Sequence, residues 1–416
     1  MYREADDRGV GLRLVPVEAN ETTGLAFGAL EAATEEARRA GISSIEMVAW
    51  RDLDDIEAGG SELHAHEVAT ALAAAGLDVS VRTSGVTGEA RTVVRNGYRV
   101  LRRSGRYAVF PRVAWEMATR TLAGTGADGV VEVWNGMPFF TPLITRRPRV
   151  VLLHHVHRDM WTMVLPPRLA ALGRFVELRM APPAYRRSTI VTLSESSRRE
   201  ITGTMRLPAH RVKVAPPGVG PAFSPGGQRA PYPLIVAVGR LVPVKRFCIL
   251  VEQLARLKEE VGDLQAVIAG EGYERSAIEA SRASWGAASW IAMPGHLAEE
   301  ELVDLYRRAW LVASTSLQEG WGMTLTEAGA CGTPAVATDV TGHRDAVLDG
   351  RTGILVRDLD AMWKEMLRLI EDGDLRESMS ETARQHAAGL SWEAVAARVL
   401  RELAADARAR WGRSRG

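Results

Sequence analysis

Lysine is nearly missing from this 416-residue chain: it occurs only at Lys213, Lys245, Lys258 and Lys364, and arginine supplies every other basic side chain. Where arginine is the default, a lysine beside an arginine, as in "VKRF", marks a position suited to a compact ammonium. Cysteine is scarcer still. Cys248 and Cys331 lie in apolar or turn contexts without metal-ligand spacing, which excludes a disulfide scaffold and fits buried thiols in a reducing compartment. No uninterrupted apolar run is long enough to cross a bilayer, and "MYREADDRGVGLRL" has no apolar signal-peptide region. Lys plus Arg total 52 against 51 for Asp plus Glu, so no overall field draws the chain to nucleic acid. A soluble cytoplasmic protein is expected, with peripheral contact at the inner face of the plasma membrane left open. A GxGxxG fingerprint is missing too: "AGEGYER" carries Gly270 and Gly272 after a strand, but not in dinucleotide spacing.

What is present is an ordinary globular composition, 46% hydrophobic and 25% charged, in a chain long enough for two domains. Strand-like runs such as "IEMVAW", "GVVEVWN" and "RVVLLHH" alternate with helical stretches, then pause at the Pro/Gly-rich "APPGVGPAFSPGGQRAPYP". Alternation resumes at "LIVAVGR" and runs through "LQAVIAG", "WLVAST" and "PAVAT". That pattern predicts an α/β fold of two Rossmann-like, doubly wound parallel sheets whose ligands bind beyond the strand carboxyl ends, in the cleft between the halves. The expected organisation is an accessory segment over residues 1–40, an acceptor domain over 41–225, a donor domain over 226–390, and a helix over 391–416 that crosses back.

Several constellations could carry chemistry. "EGWGMTLTEAGACGTPAVATD", residues 319–339, reads as glycine turn, short helix and strand. Free N–H groups at such a helix start bind phosphate, and Glu319 and Glu327, placed before the helix and in its first turn, can accept hydrogen bonds from vicinal hydroxyls. Thr324-x-x-Glu327 is equally a capping box, and the two readings stand side by side. In "VAVGRLVPVKRF", Arg240 and Lys245 sit in a strand-to-helix loop where they could hold a diphosphate or form a solvated pair. "EAGGSELHAHEV" offers Gly59, Gly60 and Ser61 at another helix start, as an anion site or a simple cap. "VVLLHHVHRDMW" ends a strand with His154, His155 and His157. Alternation at a strand end splays these rings to opposite faces, which argues against a metal site and for one histidine pointing into the cleft. The acidic "RDLDD", residues 51–55, could grip a metal-diphosphate or cap a loop, and no metal is expected.

Arg240 and Lys245, the "GEG" loop, "PGHL" at 294–297 and Glu319-x7-Glu327 form an ordered set that resembles the retaining glycosyltransferases of family 4, which have the GT-B fold. "GGSE", "LSESS" and "PPGV" support it, and the similarity covers residues 45 to 400 or so. The resemblance implies metal-independent transfer from a nucleotide diphosphate sugar, with no cofactor, to a sugar, lipid-linked or small-molecule acceptor, and no nucleic-acid partner. It places Arg240 and Lys245 on the diphosphate, Glu327 on the ribose and Glu319 on the donor sugar. Gly270, Gly272, Gly320, Trp321, Gly322, Met323 and Thr324 would line the substrate site, and the backbone around Gly295, His296 and Leu297 would face the base. Gly59 and Gly60 would approach the phosphates from the first domain, and His154, with His155 as alternate, would meet the acceptor. Trp321 stands where phenylalanine is common. The rival readings are a noncatalytic nucleotide-sugar-binding or scaffold protein of the same fold and a dinucleotide oxidoreductase, against which the absent GxGxxG argues. Two segments, 95–120 and 161–187, interleave arginines with large apolar residues and raise the prospect of membrane contact.

Overall fold

The computed structural model describes residues 19–411. Two sheets organise it. The first contains β1 (Ser44–Val48), β2 (Asp78–Thr83), β3 (Thr92–Arg95), β4 (Tyr98–Arg102), β5 (Gly129–Trp134), β6 (Arg149–Leu153), β7 (Thr189–Thr192) and β8 (Val212–Val214). Their order is β3-β4-β2-β1-β5-β6-β7-β8, parallel throughout except for the β3–β4 hairpin at one edge. The second contains β9 (Leu234–Val238), β10 (Gln265–Ala269), β11 (Ile291–Gly295), β12 (Leu311–Ser314), β13 (Ala335–Thr338) and β14 (Gly353–Val356), all parallel in the order β11-β10-β9-β12-β13-β14. Helices cover both sheets, so the central strands are buried on two faces, and β5 and β6 have no exposed residue. The two-sheet α/β architecture expected from the alternation is the one observed.

The Trp392–Trp411 helix belongs to the first domain by packing, though it follows the second in sequence. Val395, Val399, Leu400 and Leu403 are buried beside Ile45, Val131 and Leu152. Each such burial stabilises by roughly 1.5–3 kcal/mol. A Cβ on Gly129, at the start of β5, would come within 2.7 Å of Leu403, so that position keeps the helix seated against the sheet. The Asp406 carboxylate accepts from the Arg149 backbone N–H at 2.9 Å. The Ala19–Arg39 helix lies on this same element, with Leu30, Ala33 and Ala37 in the shared core. The part of the accessory segment before residue 19 falls outside the described residues.

Candidate active site

The second domain builds its half of the site from loops after β9 and β12. After β9 the chain turns at Gly239, presents Arg240, and enters a 3-10 turn, Pro243–Lys245, before the Phe247–Glu260 helix. The "GEG" glycines explain how this loop is held. A Cβ on Gly270 would overlap the Gly239 carbonyl, and one on Gly272 the Leu241 carbonyl. With neither present, Leu241 N–H reaches the Glu271 carbonyl at 2.8 Å, and Gly270 N–H reaches the Gly295 carbonyl at 2.7 Å. Gly295 has φ 89°, a left-handed conformation that favours glycine. His296 beyond it is exposed, and Leu297 is half-buried against the domain core.

Lys245 Nζ donates to Glu319 Oε1 at 2.6 Å, and the Ser316 hydroxyl donates to the same oxygen at 2.6 Å. Burial works against the charged form of Glu319, but the Lys245 and His343 charges and these two hydrogen bonds hold its carboxyl down to about 2. Arg240 differs. It donates to the Glu57 carbonyl at 3.2 Å, and among the described residues no carboxylate lies within ion-pair distance of it. Lys245, Glu319 and Arg240 therefore leave one cation unneutralised at the head of the cleft.

The glycine turn leads into the Met323–Ala330 helix, whose cap is Gly322 at φ 117°, with no side-chain capping bond. This overturns the capping box. Thr324 is already the second helical residue, and Glu327 lies one turn further in than its expected place in the first turn. Glu327 is buried, and burial pushes its carboxyl up to about 7, with the Tyr306 hydroxyl beside it acting in the opposite sense. At neutral pH it is only partly ionised, where the sequence reading took it as a carboxylate. Trp321 turns its ring inward to a small core with Leu193 and Ala346, so only its backbone is placed to line the cleft.

The first domain closes onto these loops. A Cβ on Gly59 would lie 2.7 Å from Arg240 Nε, and one on Gly60 3.5 Å from Met323 Sδ. Gly59 N–H is held by Glu62 at 2.9 Å, which fixes the start of the Gly60–Ala74 helix. From β6, the three histidines separate as strand alternation requires. His154 points away from the cations: its ring meets His64 edge-on at 4.9 Å, and neither of its buried nitrogens has a hydrogen bond. His155 is half-buried and stacks on His157 at 4.5 Å. Burial lowers its pKa to about 4, opposed by the Glu319 charge and reinforced by Arg240 and Lys245, so it is a neutral imidazole facing the cation cluster. Of the expected pair, the alternate His155 rather than His154 stands beside the cations.

The carboxylates of "RDLDD" are taken up by basic side chains. Asp52 and Asp54 both receive Arg95 and Arg102, His66 Nε2 lies 3.0 Å from Asp52, and Asp55 pairs with Arg106 at 3.2 Å. Burial opposes charge on Asp52, yet His66 and Arg95 hold it below the usual carboxylate range. Four residues absent from the sequence reading complete the site. His343 is buried behind Glu319, donates from Nδ1 to the Thr338 carbonyl at 2.9 Å, and would contact a Cβ on Gly322 at 3.0 Å. Ser316 braces Glu319, and Gln318 donates across the cleft to the Val156 carbonyl at 3.0 Å. Arg246 is tied to the Thr315 and Ser316 carbonyls at 2.7 and 3.0 Å. Only Arg246 had a sequence signal, its place beside a rare lysine.

Two family models cover both domains. Residues 58–223 match the model for Glycosyltransferase Family 4, and 223–386 the model for Glycosyl transferases group 1. A relative described as D-inositol 3-phosphate glycosyltransferase, from Corynebacterium urealyticum, is 34% identical over 212 residues, covering 46% of this chain and 50% of that protein. The chain spans about half the length of the relatives of this description that it matches. In fold it is similar to sucrose-phosphate synthase from Thermosynechococcus elongatus, with TM-score 0.74, 20% identity, and coverage of 85% and 96% of the two chains. It is also similar to Anabaena HepE in complex with UDP-glucose, with TM-score 0.66, 17% identity, and coverage of 86% and 98%.

Proposed function

Because the chain belongs to glycosyltransferase family 4 and has the GT-B fold, we propose that it moves a hexosyl-type sugar from a nucleotide diphosphate sugar to an acceptor hydroxyl, with retention of configuration and without a metal. The observation that carries this reading is the unneutralised Arg240 beside the Lys245–Glu319 pair, at the strand ends of the donor domain and against Gly59 and Gly60 of the other. A diphosphate seated there gains charge as the glycosidic bond breaks, and fixed cations stabilise that charge more than they stabilise the intact donor. The departing phosphate oxygen takes the proton of the acceptor hydroxyl, which attacks from the same face. His155, being neutral, orients that hydroxyl by a hydrogen bond, and no strong general base is required.

Glu319, ionised and braced by Ser316, accepts from hydroxyls of the donor sugar. Glu327 serves the ribose, and the N–H groups at Met323 and Thr324 serve the phosphates. The acceptor is a sugar, a small molecule or a lipid-linked glycan, and peripheral contact with a cytoplasmic membrane face is part of the reading. Incubation with UDP-, GDP- and ADP-sugars tests it, with sugar release followed by NMR so that the anomer is read directly. Retained configuration in the presence of EDTA is expected. A chain that binds a nucleotide sugar yet neither hydrolyses nor transfers it is the noncatalytic protein instead, and an inverted product or a manganese requirement removes the mechanism.

A further inference from the structure

The two arginine-rich segments fare differently once their partners are known. In residues 95–120 the arginines are taken. Arg95 and Arg102 pair with Asp52 and Asp54, Arg99 with Asp78, Arg112 with Glu116, and Arg120 with Glu46. That segment has little cationic field to offer a partner.

Residues 161–187 hold five arginines, Arg168, Arg174, Arg179, Arg186 and Arg187, all exposed, and a single carboxylate, Glu177, which is fully buried. The same stretch carries exposed apolar side chains. Leu169, Leu172 and Phe175, spaced by three along the Pro167–Phe175 helix, share one face, and Met180 follows in a π-helical turn, Val176–Met180. These four are between 51% and 54% exposed. The helix is not loose: Ala170 and Gly173 are buried, and a Cβ on Gly173 would lie 2.8 Å from the Trp161 ring. Its apolar stripe therefore faces outward because the opposite side is already packed.

We propose that the face formed by Leu169, Leu172, Phe175 and Met180, in the segment that also exposes Arg168, Arg179, Arg186 and Arg187, docks on an anionic lipid surface. Charge decides the occupant. Arg168, Arg179, Arg186 and Arg187, four exposed guanidinium groups in a segment whose single carboxylate is buried, complement a bilayer rich in acidic headgroups, and four half-exposed apolar chains match the shallow depth to which an interfacial helix enters. Among the described residues no helix is long and apolar enough to cross a membrane, so contact of this kind is peripheral. Glu177 ties the platform to the site. Its carboxylate accepts from the backbone N–H groups of His157 at 2.8 Å and Arg158 at 3.1 Å, and from Trp161 Nε1 at 3.0 Å. The loop that carries His155 is thus fastened to the docking segment, and an acceptor borne on the lipid surface arrives beside it. The docking itself does not depend on the transferase reading, because vesicle binding needs no turnover.

Co-sedimentation of the full chain with vesicles of phosphatidylcholine alone, and of phosphatidylcholine with phosphatidylglycerol, tests the proposal. At least tenfold stronger binding to the anionic vesicles is expected, declining as salt is raised. Leu172→Glu/Phe175→Glu should lose that binding, and Arg186→Gln/Arg187→Gln should weaken it several-fold, both with unchanged thermal unfolding and donor hydrolysis. Equal binding to the two vesicle types, binding to neither, or full binding by the Leu172→Glu/Phe175→Glu chain overturns the proposal. So does a self-association in size-exclusion chromatography that this variant abolishes without any vesicle binding, which would mark the face as a contact between copies.

Discussion

Two walls of the cleft are rich in arginine, and they use it oppositely. On the first domain, Arg51, Arg95, Arg102 and Arg106 are matched by Asp52, Asp54, Asp55, Glu57 and Glu62, a lattice that stiffens the loop leading to Gly59. On the second domain, Arg240 has no carboxylate partner among the described residues and Arg246 is satisfied by carbonyls, which leave its charge in place. A count of cations would rank the first wall above the second as an anion site. Pairing reverses the order, because a neutralised guanidinium offers an incoming phosphate little net attraction.

The sharpest way to break this contrast is to remove a partner from the matched wall. Asp52→Asn leaves Arg102 buried with its charge half-compensated, and stability should fall by roughly 3–5 kcal/mol, read by denaturant unfolding. A loss under 1 kcal/mol would mean that the lattice is dispensable. On the unmatched wall, Lys245→Ala should cost about 2.7–4 kcal/mol of barrier, a 10²–10³-fold fall in turnover, while the melting temperature holds. Glu319→Gln should likewise damage turnover but spare calorimetric binding of the free nucleotide diphosphate.

Glu327 separates stability from binding through pH. Its folded pKa, about 7, lies above the ordinary 4.5, so the folded state holds the proton more tightly. Stability is therefore highest below pH 4.5, declines as pH rises toward 7, and stays at its reduced level above that. Glu327→Gln should remove the penalty, unfolding later than the parent at pH 8 by up to roughly 2–3 kcal/mol and no differently near pH 4.5. Nucleotide affinity should nevertheless weaken by about 1.5–3 kcal/mol, and in the parent it should strengthen as pH passes through 7. An earlier unfolding at pH 8 with normal nucleotide binding would leave the residue only a structural part. The smallest effect is reserved for the histidines: His155→Ala should slow transfer about tenfold, near 1.4 kcal/mol, with donor hydrolysis less affected. His154→Ala should change unfolding rather than kinetics, and equal kinetic loss in both would undo the distinction.

Much of the molecule was legible along the chain. Strand runs such as "LIVAV" are apolar throughout because parallel strands are covered on both faces, and that rule needs no coordinates. The order of Arg240, Lys245, the "GEG" loop, Glu319 and Glu327 likewise marked the second domain's loops as a candidate site, since glycine and charge at strand ends are local signals. The limits were just as physical. Alternation showed that His154 and His155 diverge, but the side on which the cations lie depends on domain packing. The box Thr324-x-x-Glu327 has the right spacing for a cap and fails as one, because Gly322 takes the left-handed turn and starts the helix two residues earlier.

By itself, then, the sequence determined the alternating α/β elements, the place of the glycine-bearing loops at the strand ends and the residue types able to hold a diphosphate, all of which depend on neighbours a few positions apart. Tertiary structure alone decided which arginines have a carboxylate partner, that burial pushes Glu327 up to about 7, and that His155 rather than His154 faces the cleft. Those properties come from burial and from partners far away in the chain: Asp52 meets Arg102, Glu57 meets Arg240 and Glu327 meets Tyr306 only after folding. Ionisation follows the desolvation and charge that such distant contacts impose, and no local pattern encodes them.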